Sequence, residues 1–442
     1  DDRQNFLIEN GLKFPKVAKP FFQYASFLKK LDFRWLNPAI GRWLELNEQR
    51  SHPLFNNMVY LVASELTDMI ICQSRGLNYL RVFRGPEKFE IPDLTCFDGL
   101  ERAISGLRTF QLCGEFKERC EMEKMVSLMG IITKNCRLIQ HLSIDIPSDV
   151  PKIQEDFLKL VKSQKNLRAL GCFAKDVESI IPSLVYQSNH LRELELGGGM
   201  EFHSISVLIP LTLCTRLEKL KIVNYHENTK YYDTTQLEPT HILSIKELYL
   251  KGVAINPIFL SFLLRMSRNS LKKISLNQMK NETLMLIKKF CRDISHLAIC
   301  IDQESTLHLQ PLFDSRIEHL VLHNQVPNQF HNIIIKEIGK NLPFALRHLD
   351  LLISISTEAL EYILSKCKYL ETLGVYLRHP RDDDKFLAIA IKYAQLHGTL
   401  NTFRFTRNYP RQRLAANFSE ELITQANLFI PNMVQESFRP WK

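Results

Sequence analysis

The 442-residue sequence predicts an α/β solenoid, with a curved parallel sheet on its concave side and helices on its convex side. Three observations lead there. One short apolar phrase recurs along the chain, helical patterns fill the intervals between its copies, and cysteine returns at a fixed distance ahead of it.

The phrase is clearest in "LEKLKIVN" from Leu217, "IKELYLKG" from Ile245 and "LKKISLNQ" from Leu271. Apolar residues at i, i+3 and i+5 also start at Leu28, Leu77, Leu107, Ile139, Leu167, Leu191, Ile294, Ile317, Leu346, Leu370 and Leu400. From Leu77 to Leu400 there are 12 intervals over 323 residues, a mean near 27. That lies within the roughly 20 to 29 residues of a leucine-rich repeat. Individual spacings of 23 to 32 mark about 13 or 14 divergent coils. Within a phrase the residues alternate as a short strand does, so Leu220 and Ile222 face inward while Lys219 and Lys221 face outward.

The intervals read as helices. In "STEALEYILSKCKY" (356–369), Ser356 caps the first turn and Leu360, Ile363 and Leu364 share a face. "NETLMLIKKFCRD" (281–293) repeats the design, with Asn281 as cap and Leu284, Ile287 and Phe290 facing in. Neither element can bury its apolar side alone, so stacked neighbours must share one core. At the helix-to-strand corner, Cys136, Cys214, Cys291 and Cys367 each precede a phrase by three residues, in "CRLI", "CTRL", "CRDI" and "CKYL". Cysteine is small and readily buried, which suits such a corner better than a reactive role. Gln164 and Ser188 hold the equivalent place in two other coils. The register is that of the cysteine-containing subclass of leucine-rich repeat.

Composition supports an ordered chain, with 45% hydrophobic and 24% charged residues and only 16 Gly and 19 Pro. Apolar runs such as "FHSISVLIPLTLC" (202–214) stop well short of the ~20 residues of a membrane span, so no membrane association is expected. The chain opens on Asp1, Asp2 and Arg3 without a secretory leader, and its true N-terminus is expected upstream. Ten cysteines without a CxxC pair or zinc spacing point to a reducing compartment, cytoplasmic or nuclear. On that reading the sequons at Asn281 and Asn417 are chance triplets.

No phosphate loop, HExxH, GxSxG or other catalytic signature occurs, so neither an enzyme nor a cofactor is expected. Gly197, Gly198 and Gly199 follow a strand phrase without the Lys-Ser/Thr of a phosphate loop and read as a turn. The outward positions are more informative. Three successive coils offer His296, His319 and His348, with His323 at the outward end of the second strand and His141 in an earlier coil. Strands ~4.8 Å apart would bring such a row together as a metal site, a pH-sensitive contact surface or an idle polar surface. No acidic second shell is identifiable, and no metal is assigned. Elsewhere the outward residues are Glu193 and Glu195, then Lys219 and Lys221, then Glu247, Tyr249 and Lys251, then Lys273. Tyr79, Tyr249 and Tyr376 are candidate partner anchors. The net charge of +9 is spread widely, and its densest stretch is Arg404, Arg407, Arg411 and Arg413 with Phe403, Phe405 and Tyr409 interleaved. Nucleic-acid binding there is an alternative to a solvated edge.

The corner cysteines, "KPFFQYASFLKKLDF" (19–33), a helix read over "NNMVYLVASELTDMIICQSRGLNYLRVF" (56–83) and the irregular coils resemble fungal F-box/leucine-rich-repeat proteins, a set expanded in arbuscular mycorrhizal fungi. The resemblance spans essentially the whole chain. It implies a protein-recognition module, the substrate-binding part of a Skp1–cullin–F-box ubiquitin ligase. A Skp1-type adaptor would bind the F-box, and a protein substrate would lie on the concave face. "DDRQNFLIENGLKFPKVA" (1–18) lacks the LPxE-like start of an F-box, so that element is expected upstream of Asp1. Residues 1–55 are then an N-terminal cap or connection, and 56–442 the solenoid. A free-standing repeat scaffold or inhibitor is the alternative reading. The partner-binding candidates are Tyr79, His141, Glu193, Glu195, Lys219, Lys221, Tyr249, His296, His319, His348, Tyr376 and Arg404.

Overall fold

Each apolar phrase becomes a strand at its third residue. The computed structural model describes residues 7–9, 12, 24–46, 54–84, 89–114, 116, 118–147, 150–198, 205–223, 242–251, 257–277, 281–300, 316–323, 338–340, 342–377, 383–407 and 418–436. Residues 1–217 make one compact unit and 218–442 another.

The first unit holds β1 (Lys30–Asp32), β2 (Tyr79–Arg84), β3 (Thr109–Gly114), β4 (His141–Asp145), β5 (Ala169–Phe173) and β6 (Glu193–Gly197). They pair in parallel and in chain order, and Leu80, Phe110, Leu142, Leu170 and Leu194 line up side by side. The second unit holds β7 (Lys219–Val223), β8 (Glu247–Lys251), β9 (Lys273–Leu276), β10 (His296–Cys300), β11 (His319–His323), β12 (His348–Leu352), β13 (Thr372–Leu377), β14 (Thr402–Arg407) and β15 (Asn432–Glu436). These too are parallel neighbours in chain order. Leu248, Ile274, Leu297, Leu320, Leu349, Leu373 and Phe403 form the matching ladder, all buried. Burying such a side chain contributes about 1.5–3 kcal/mol, so the stacked ladders are the main source of stability.

Behind the strands the connections present apolar faces to the same core. Helix Pro151–Ser163 starts on a proline whose fixed φ suits a first turn, and buries Ile153, Phe157, Leu160 and Val161 at helical spacing. Helix Thr357–Leu364 is capped by Ser356, whose hydroxyl accepts from the Ala359 amide at 3.2 Å, and it buries Leu360, Ile363 and Leu364 as expected. Helix Asn281–Phe290 starts at Asn281 itself; Leu284 and Ile287 are buried and Phe290 is half-buried. With repeated parallel strands on one side and helical connections on the other, the chain is an α/β leucine-rich-repeat solenoid.

The corners show why cysteine recurs. The Cys136 thiol donates to the Ile104 carbonyl at 3.3 Å, that of Cys214 reaches Leu184 at 3.9 Å and that of Cys291 reaches Leu264 at 3.8 Å. Each stitches its corner to the preceding coil. Gln164 does the same with an amide: its Oε1 accepts from Ile139, and its Nε2 donates to the Cys136 and Leu160 carbonyls. In the next coil the residue at work is Gln187 and not Ser188. Gln187 is buried, accepts from the Leu167 amide and donates to Val161 and Gln164. The connection there is a 3-10 helix, Ile181–Gln187, which moves the corner back by one residue.

Two expectations on extent change. The stretch 56–83 is not one helix: helix Phe55–Gln73 ends there and β2 follows. Ser74 is extended at ψ 137, its hydroxyl accepts from the Gly76 amide, and Gly76 lies at φ +133, so the helix cannot continue. Among the described residues a strand beyond Leu400 also appears, β15, which pairs with β14. Ile430 and Met433 fit its phrase, but Gln435 stands where a third apolar residue was sought. Among the described residues, no helix is long and apolar enough to cross a membrane.

Candidate functional site

Outward strand positions fall into rows that cross the sheet, one residue per strand. In the second unit the first row runs Lys219, Glu247, Lys273, His296, His319, His348 and Thr372. The expected histidine row is therefore real. His296 and His319 have ring centroids 5.1 Å apart, and His319 and His348 5.3 Å.

The row is electrostatically graded. Glu247 sits between two ammonium groups, 2.9 Å from Lys273 and 4.0 Å from Lys219, and accepts from the Tyr249 hydroxyl at 3.0 Å. Burial pushes its carboxyl up, but the bonds from Lys273 and Tyr249 and both lysine charges outweigh that and leave it below the usual glutamate value. The Lys219 ammonium also lies 5.2 Å from the Tyr249 ring centre. Burial first, then the His319, Lys273 and His348 cations, lowers the pKa of His296, with Glu318 opposing. Burial and His319 lower that of His348 in the same way.

An acidic partner for the row exists after all, missed because it lies one strand over in the second row. Asp350 accepts from Arg404 Nη2 at 2.9 Å on both oxygens, and its Oδ2 is 3.2 Å from His319 Nε2. Asp350 lies beside Gly374 in the register, where a Cβ would collide with the carboxylate. Arg404 is thus committed to an internal carboxylate. Phe403 and Phe405, interleaved with the arginines in the sequence, are buried in the core and so closed to stacking on bases. Arg411, Arg413 and Tyr409 lie outside the described residues, as do the side chain of Arg407 and the sequon at Asn417.

A third row is mostly closed to solvent, with Lys251 and Leu352 as its half-buried members. Asn277, Cys300, His323, Tyr376 and Thr406 are all buried, although alternation puts them on the outward side. His323 is therefore not an exposed end of the histidine row; burial, then the Lys251 charge, pushes its pKa down to about 4. Tyr376, at 9% exposure, is not an open anchor. Alternation assigns a face of a strand and is silent on whether that face is covered.

In the first unit the corresponding row is Tyr79, Thr109, His141, Ala169 and Glu193. Tyr79 is held in a polar cluster, its hydroxyl 3.5 Å from Asp32 and 3.4 Å from Gln111, while Arg81 bonds Gln111 and lies 3.5 Å from Asp32. Burial, partly offset by Arg81, raises the Tyr79 pKa. His141 and Glu193 are exposed and Glu195 is half-buried. Asp145 accepts from the Gly114 amide at 2.7 Å; burial raises its pKa against that bond, and Glu195 adds to the rise. Of the glycine run read as a turn, Gly197 instead ends β6 and pairs with Phe173. The turn reading holds at Gly198, which sits at φ +97 where a Cβ would come 2.7 Å from the Ala174 nitrogen; Gly199 lies outside the described residues.

All ten cysteines are free thiols. Burial pushes Cys136, Cys291 and Cys367 up to about 12 and Cys214 up to about 11, which fits structural corners and not nucleophiles. Among the described residues no group of three or more His, Cys, Asp or Glu is placed to hold a metal ion.

No protein-family model matches the chain. No curated protein matches it either. Among solved structures, the leucine-rich repeat-containing protein LegL7 from Legionella pneumophila is similar at 12% identity and a TM-score of 0.38, over 72% of this chain and 90% of that one. An internalin (InlF) from Listeria monocytogenes is similar at 15% identity and a TM-score of 0.32, over 76% of this chain and 82% of that one. Neither likeness is close enough to carry a residue or a function across.

Proposed function

We propose that the chain is a non-enzymatic protein-recognition module that takes its partner on the outward face of the strands. The observation that supports this is a division of labour between the two faces. Inward side chains are almost fully buried, whereas the first outward row holds half-exposed cationic, acidic and imidazole groups in register. Exposed ion pairs contribute only about 0 to 1 kcal/mol each, so that row is poorly accounted for by stability. Tyr79 and Tyr249 add aromatic groups of the kind in which interface energy concentrates.

In a finer form of this reading, the module is the substrate-binding part of a Skp1–cullin–F-box ligase in the cytoplasm or nucleus. Its support is the resemblance to fungal F-box/leucine-rich-repeat proteins and, for the compartment, ten cysteines in 442 residues that do not make up a disulfide-dense framework. A lysine-directed cross-linker applied in cells tests the general reading. Partner cross-links are expected at Lys219, Lys221, Lys251 and Lys273, and links confined to helix lysines such as Lys288 and Lys289 would contradict it. Co-purification of a Skp1-type adaptor with the full reading frame tests the ligase reading. Its absence alongside intact partner cross-links would leave a repeat scaffold.

A further inference from the structure

Two carboxylates already sit on the outward face of the second unit, and both show how that face treats an acid. Glu247 on β8 is gripped by Lys273 at 2.9 Å with Lys219 behind it, and Asp350 on β12 by Arg404 at 2.9 Å and His319 at 3.2 Å. Between them the first row continues through Lys273, His296 and His319 on β9 to β11 without an acid of its own. At ~4.8 Å per strand the interval from β8 to β12 is roughly 19 Å, the length of about six extended residues. The second row beneath it carries only Ser275, Ala298 and Val321, with short side chains. Lys273 and His319 remain open to solvent at 43% and 25% of their side-chain surface.

We propose that Lys273, His296, His319 and His348 form a docking row for a carboxylate-rich segment of a partner protein. Glu247 and Asp350 mark its two ends. The proposal rests on the outward face being the recognition surface and goes on to name the partner's chemistry by charge complementarity. A carboxylate laid over β9 to β11 would meet an ammonium at one side and imidazoles at the other, the same groups that hold the two internal acids.

Affinity then depends on pH. Around the imidazoles stand Lys273 from β9, Ser295, bonded to His296 Nδ1 at 2.8 Å, Glu318 before β11, Asp350 from β12, Glu371 before β13, paired with Arg347, and Arg404 from β14. Three of these neighbours are acids and three, Lys273, Arg347 and Arg404, are cations. Burial first, then repulsion from His319, holds protonation of His296 and His348 back below that of a free imidazole, and a carboxylate brought by a partner would offset it. Glutamate side chains are still ionised at about pH 6, so an acidic segment keeps its charge as the imidazoles gain theirs.

The test is fluorescence anisotropy of a labelled oligoglutamate peptide against the whole chain at about pH 7.5 and about pH 6, with oligolysine and single-stranded oligothymidylate in parallel. Oligoglutamate affinity is expected to rise about tenfold on acidification, and His296→Gln with His348→Gln to abolish that rise. Lys273→Ala should weaken binding at both pH values. Because these residues are half-exposed, an unchanged thermal midpoint would show that the variants fold. Oligoglutamate that does not bind, or a pH response untouched by the histidine variants, overturns the proposal. Equal or tighter oligothymidylate binding lost with the same variants also overturns it, in favour of a phosphate surface. Partner cross-links at the outward lysines would persist if the acidic-segment proposal alone were wrong.

Discussion

His323 occupies an outward register position yet is 3% exposed, and the consequence is a pH-dependent stability that the exposed histidines do not share in full. Its pKa is about 4 in the folded chain against about 6.5 when unfolded, so the unfolded state binds the proton first as pH falls. Stability from the neutral, buried imidazole is complete above pH ~6.5 and is lost as pH falls towards 4, an upper limit of the order of 3 kcal/mol. His296 and His348, also lowered, act in the same direction. In urea titrations between pH 7 and pH 4, His323→Gln is expected to flatten most of that loss. An unchanged slope would mean that another group titrates. Nothing in the sequence distinguishes His323 from His319, because both have the outward parity of one strand. Likewise Asp350 was invisible as the partner of His319 until the β11–β12 register placed it beside Val321, within reach of the ring.

Strands were the most legible elements, since the ladder itself requires apolar residues at i+3 and i+5. Where that requirement lapses, so does the signal: β15 carries Gln435 at i+5 and went unread. Corners were half legible, because cysteine marks four of them while the amide corners depend on which residue the connection turns inward. Gln164 and Gln187 are both buried, and each bonds backbone of the preceding coil. Truncating Gln164 would strip the Ile139 amide and the Cys136 carbonyl of their side-chain partner in a site too dry for water to replace it easily. Gln164→Ala is therefore expected to cost about 2–3 kcal/mol in chemical denaturation, more than a typical surface change. A loss within about 0.5 kcal/mol would show that the corner relaxes around the gap. Ser188→Ala, at the position first read as the corner, should have little effect.

At the scale of the molecule, the distribution of thiols turns the stack into its own reporter. Cys96 and Cys120 are exposed and Cys72 and Cys113 are half-buried, whereas Cys136, Cys172, Cys214, Cys291, Cys300 and Cys367 are buried. The corner thiols carry a second barrier besides access. Pushed up to about 11 or 12, they present a thiolate fraction roughly a hundred- to thousandfold below that of an ordinary cysteine at the same pH. Both barriers vanish only when the neighbouring coil separates, because the carbonyls that the corners bond and the apolar ladder that dries them belong to adjacent repeats. Maleimide labelling mapped by mass spectrometry should therefore modify Cys96 and Cys120 first in the folded protein, then Cys72, with Cys113 behind it because burial pushes its thiol up to about 11. The corner cysteines should follow only at the rate of opening, and together with their neighbours along the array, as nearest-neighbour coupling requires. Labelling of Cys136 as fast as Cys96 under native conditions would mean that the coils do not shield one another, and the stacked core would no longer account for the stability of the chain.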